Sequence, residues 1–168
     1  MNQELEIKTL VRLRAKIVLL ADRAFFNPPA DEDAIKDVEE RLKIIFPASV
    51  KEFYKVFNGG FFADASWSPE ELKDARKFET IQWNSNNILT LEDIKLGFGS
   101  RYPGCVPIIH TYSQEFLAIT NPLKDNESPV YDAFHEYPPN DWGVLYNNFG
   151  ELLNDYIEKE GNIKTIAI

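Results

Sequence analysis

The sequence predicts an α+β protein, with helices packed on a largely antiparallel β-sheet and an extra helix at the N-terminus. Three observations carry this. Residues 28–60 are written as a helical hairpin, residues 105–131 hold short extended runs joined by short polar connections, and Asn148 opens a closing amphipathic helix. Consecutive short strands with short links pair most simply as antiparallel neighbours, and helices set against such a sheet define the α+β class. The 168 residues, 44% apolar and 13% aromatic, suit a single domain spanning 1–168 that buries its core without a cofactor.

Met1 to Phe26 reads as one long amphipathic helix, with Leu10, Leu13, Ile17, Leu20 and Ala24 three and four residues apart. Val11, Val18 and Phe25 widen its apolar stripe, which needs a cover: the core of the same chain or, in a homodimer, a second copy. Asp31 then caps a helix that carries Glu32 and Asp33 in its first turn, where acids suit the positive end of the helix dipole. Ile35, Val38 and Leu42 share one face of it. Pro47 opens a second helix bearing Val50, Phe53, Tyr54 and Phe57, and Asn58-Gly59-Gly60 stops it.

Phe61 and Phe62 point to opposite faces if extended. Ser68-Pro69-Glu70-Glu71 has the spacing of a capping box and predicts a short exposed helix ending near Lys77. Strands are expected over Glu79–Trp83 and Asn87–Leu89, then a brief helix from Thr90 that breaks at Gly97-Phe98-Gly99. Cys105–His110 suits a buried strand, although Pro107 suggests a strand end or an edge. In the next strand, Glu115–Thr120, Phe116, Ala118 and Thr120 face one way and Leu117 and Ile119 the other, so both faces should be partly covered. Asn121–Ser128 is a polar turn and Pro129-Val130-Tyr131 begins a third strand. Leu152, Leu153, Tyr156 and Ile157 line the buried side of the closing helix, Gly161 stops it, and Ile163–Ile168 adds a terminal strand.

The chain resembles the Smi1/Knr4 family, or SUKH superfamily, over about residues 27–160. The shared features are the Pro28-Pro29-Ala30 entry, Glu39-Glu40-Arg41-Leu42, the Phe46-Pro47 turn, Lys51-Glu52-Phe53 and the Asn58-Gly59-Gly60 stop. The likeness continues more weakly through Leu89–Ile94, Val106-Pro107-Ile108, Pro129-Val130-Tyr131 and the helix opening at Phe149, and leaves residues 1–26 outside. The resemblance implies an α+β fold. It also implies one of two roles: an immunity protein that neutralises a toxin encoded nearby, often a nuclease, as bacterial members are taken to be, or a regulatory interaction module, as fungal members linked to cell-wall synthesis and signalling suggest.

Charge narrows the partners. The net charge is −9; residues 1–26 hold five Lys/Arg against three Asp/Glu, or +2, which leaves −11 on residues 27–168. Nucleic acid and anionic membrane both require local positive charge, so the expected partner is a basic protein. Cys105 is the one cysteine and has no intramolecular disulfide partner, which fits a reducing cytoplasm. Ile17–Ala21 is too short for a signal core or a membrane span.

Catalytic chemistry finds little support. His110 and His135 stand 25 positions apart and Cys105 is in no paired motif, so no metal set is expected. Ser113, His110 and Asp132, or Cys105 with either histidine, make triples that lack a nucleophile-elbow sequence. Gly97-Phe98-Gly99 lacks the rest of a dinucleotide or phosphate-loop pattern. Trp67, Trp83 and Trp142 would serve as core, or as a sugar-stacking platform, and an enzyme working through paired carboxylates ranks last. With no catalytic, cofactor or metal residue expected, the candidate surface is the late acidic-aromatic segment. Tyr131, Asp132, His135, Glu136, Asp141 and Trp142 combine rings, which give contact area at low entropy cost, with acids that steer a basic partner.

Overall fold

The computed structural model describes residues 2–75, 85–98, 101–120 and 127–163, with side chains from Ile7 onward. The strand expected at 79–83, Gly99, the turn at 121–126 and the terminal strand over 164–168 lie outside the described residues. Among the described residues, seven strands form one antiparallel sheet in sequential order: β1 (Ala24–Phe26), β2 (Gly60–Phe62), β3 (Asn87–Ile88), β4 (Val106–His110), β5 (Phe116–Ile119), β6 (Val130–Ala133) and β7 (Val144–Tyr146). The α+β expectation holds. The described helices are α1 (Asn2–Leu19), α2 (Glu32–Leu42), α3 (Ala48–Tyr54), α4 (Pro69–Ala75), α5 (Leu91–Leu96) and α6 (Phe149–Glu158). None is long and apolar enough to cross a membrane.

Local chemistry sets the helix ends. Asp31 accepts from the Ala34 N–H (2.7 Å), Thr90 from Asp93 (3.2 Å) and Asn148 from Glu151 (2.9 Å), each filling one donor that a helix N-terminus leaves open. The capping box at α4 closes both ways: the Ser68 N–H donates to Glu71 Oε2 and the Glu71 N–H to Ser68 Oγ, at 2.6 and 3.2 Å. α6 ends as its sequence predicts, with Gly161 at φ 85° and its N–H on the Tyr156 carbonyl (2.8 Å).

The main core lies between one sheet face and the helices. Leu13 of α1, Val38 of α2, Phe53 and Tyr54 of α3, Ile94 of α5 and Tyr156 of α6 are fully buried there against Ile109, Leu117, Ile119 and Val130. The apolar stripe of α1 is therefore covered by its own chain along Leu10, Leu13, Ile17 and Leu20, and Thr9 Oγ1 donates to Asn154 Oδ1 of α6 at 3.0 Å. Ile7, Val11, Val18 and Leu19, on the opposite side, are exposed. The other face of the sheet carries two smaller clusters. Phe25, Phe61, Trp67 and Ala75 form one, and Phe98, Tyr102, Phe116, Ala118, Ala133 and Trp142 the other. The split expected for β5 is thus observed, with Leu117 and Ile119 turned to the helices and Phe116 and Ala118 away.

Three readings need correction. The first helix stops at Leu19, and Ala24–Phe26 is a strand. Pro28 and Pro29 only bar a helix from running past Asn27; what decides is pairing with β2, since extension lets Phe26 pack on Phe62 in the main core (centroids 5.1 Å) while Phe25 stacks on Phe61 on the other face (5.0 Å). β4 is central although it contains Pro107, because its register shifts between Pro107 and Ile109, and a bulge frees a strand residue from donating to the ladder. Gly59 and Gly60 do not stop the second helix, which ends at Tyr54 and leaves Phe57 beyond it; they serve the sheet. A Cβ on Gly59 would lie 2.6 Å from the Ile88 carbonyl, and one on Gly60 2.6 Å from that of Phe25, so both are required where β2 threads between β1 and β3.

Candidate functional site

The late segment begins as β6, and the pleat of that strand divides it. Tyr131 lies opposite Ala118 and Asp132 opposite Leu117, and residues directly opposite one another share a face. Tyr131 therefore stands on the outer face beside Ala118, whereas Asp132, 9% exposed, is turned to the helix-covered side. Asp132 does not join the other five predicted residues on one surface.

The other five lie on β6 and in the turns that follow it. After β6 the chain turns through His135, Glu136 and Tyr137, all exposed, into a 3₁₀ turn over Pro139–Asp141. Trp142 follows it and packs inward at 6% exposure, its Nε1–H donating to the Tyr137 carbonyl at 3.0 Å. Its ring meets Tyr102 edge-on (centroids 5.3 Å) and Phe98 at 5.9 Å. His135 is tethered: Nδ1 lies 2.5 Å from Glu115 Oε1, and its N–H donates to Glu115 Oε2 at 3.3 Å. Glu136 and Asp141 form no ion pair among the described residues and are exposed. Between the 139–142 turn and the 101–105 loop opens a cleft of about 600 Å³, with Tyr131 and Thr120 lining it.

The 101–105 loop is the wall that sequence reasoning missed. Arg101 holds its guanidinium 5.0 Å over the Tyr102 ring and reaches the His135 carbonyl at 3.5 Å, so the two loops brace one another. A signal was present in the sequence, since Arg101-Tyr102-Pro103-Gly104 sets an arginine and an aromatic ring directly before two turn formers.

A family model, that of the SMI1 / KNR4 family (SUKH-1), matches residues 29–155. The chain belongs to this family. Its match runs from the entry to α2 into α6 and includes every described strand but β1, so the cleft lies within the SMI1/KNR4 region and α1 precedes it. The comparison with curated proteins found no match.

Cys105 borders the cleft with its thiol pushed up by burial, which keeps it protonated and weakly nucleophilic. His110 pairs with Phe116 on the outer face while Asp132 lies on the inner one, so the sheet itself separates the suggested triad. Burial also holds His110 below its ordinary pKa. No group of three or more His, Cys, Asp or Glu among the described residues is placed to hold a metal ion.

Proposed function

We propose that the chain is an immunity protein, acting in the cytoplasm, that binds a basic toxin encoded nearby, a nuclease, and blocks it by steric and electrostatic occlusion without turnover. One observation supports this above the rest: a cleft lined by Tyr102, Tyr131 and Trp142, with the exposed Asp141 in the turn that forms one wall and the exposed Glu136 in the turn before it, neither in an ion pair among the described residues, on a body of charge −11. A nuclease must present positive charge to nucleic acid, so an acidic surface with aromatic anchors is steered onto it and covers it. His135 and the half-buried Tyr131 supply the contact area. SMI1/KNR4 membership agrees with this role and equally with a regulatory interaction module.

Capture separates the two. The immobilised chain should retain the product of the adjacent reading frame in equimolar amount, and a nuclease assay on the captured complex should show loss of activity. No capture, or capture with undiminished nuclease activity, overturns the proposal.

A further inference from the structure

A second pocket, sharing no residue with the cleft, lies where the β3 entry, the loop after β4 and the end of α6 meet. It encloses about 320 Å³ between Trp67, Tyr112, Ser85, Asp64, Glu160 and Asn162, near the lower end of the range for small-ligand sites. Two features mark it as built. Asn86 staples its walls, donating from Nδ2 to the Gly161 carbonyl (2.8 Å) and accepting the Tyr112 N–H on Oδ1 (2.9 Å). Ser85, which lines it, is 6% exposed, and its Oγ has no hydrogen-bond partner among the described residues. A buried hydroxyl left unpaired is unfavourable, and a polar ligand in the adjoining space relieves that.

The electrostatics select the ligand class. Asp64 and Glu160 bring two negative charges to the rim, but Glu160 already pairs with Arg23 (2.5 Å) and Lys16 (3.7 Å), which cancels the local sum. Asp64 is engaged by Ser66 through both its N–H (2.8 Å, to Oδ1) and its side chain. A charged ligand gains little here, whereas a neutral one rich in hydroxyls finds acceptors and donors. Trp67 leans on Phe61 (centroids 6.2 Å) and Tyr112 is 56% exposed, so indole and phenol supply apolar walls beside those polar groups. We infer that this pocket binds one neutral sugar ring, with Trp67 and Tyr112 as its stacking walls and Ser85, Asp64 and Asn162 as its hydrogen-bond partners. This stands independently of the toxin-binding reading.

Saturation-transfer NMR with glucose and with N-acetylglucosamine, on the unaltered chain and on the Tyr112→Ala and Ser85→Ala variants, tests it. Ring-proton signals are expected from at least one sugar. Tyr112→Ala should weaken binding about tenfold through the lost aromatic face. Ser85→Ala, which changes no packing volume beyond one oxygen, should weaken it about threefold. Thermal melts check that both variants fold. Absence of transfer from both sugars, or transfer undiminished in both folded variants, overturns the inference, as does binding of adenosine in place of either sugar.

Discussion

At the scale of single residues, burial decides what a side chain is for, and His110 shows it. The sequence offers it as a base for a triad, yet it sits 4% exposed against the Phe116 ring (centroids 5.2 Å), its pKa held below 6.5 chiefly by burial, against weaker opposing pulls from Asp93 and Glu115. A histidine with a depressed folded-state pKa is neutral when folded and takes up a proton more readily when unfolded. Its contribution is complete above pH 6.5 and is lost as pH falls through the folded-state value. The urea midpoint should therefore fall between pH 7 and pH 5, and His110→Gln should flatten that slope; an equal slope in the variant would remove His110 as its cause. Asp132 teaches a related lesson. Period-two alternation placed it opposite in sense to Tyr131, so its separation from the surface group was legible in the sequence, while its depth of burial was not.

At the scale of elements, caps and periodicity were read correctly where the signal is local. Asp31, Ser68, Thr90 and Asn148 all begin helices as their side chains dictate. What could not be read was set by partners distant in sequence. β1 looks helical until Phe25 and Phe26 are given β2 to pair with, and β4 looks like an edge until its bulge is seen. The clearest test is Gly60→Ala. Gly60 has φ 151°, and a Cβ there would lie 2.6 Å from the Phe25 carbonyl and 2.7 Å from the Phe26 Cα, both backbone atoms that cannot swing aside. Strain plus overlap should destabilise the fold by about 2–4 kcal/mol. Equilibrium denaturation should show it as a lowered midpoint at constant m-value, and a loss below about 0.5 kcal/mol would mean that β2 accommodates the methyl by shifting.

At the scale of the whole molecule, charge was legible and its placement was not. Residues 27–168 carry −11, but that Glu136 and Asp141 are exposed in the turns after β6 emerges only from the fold. Glu136→Gln with Asp141→Asn should slow association with a basic partner several-fold and leave dissociation nearly unchanged, with the wild-type rate falling as salt is raised. Asp132→Asn, on the other side of the sheet, should leave the association rate alone. Stopped-flow or surface-binding kinetics would read all three, and an unaltered on-rate in the double variant would remove the carboxylates of the turn from the encounter. A different consequence follows from the seat of α1. Leu13 is fully buried, and Thr9 and Arg12 both reach Asn154, more than 140 positions further along. During synthesis α1 leaves the ribosome long before α6 and cannot complete its packing until residue 154 has emerged, so until then its greasy side is a target for chaperones.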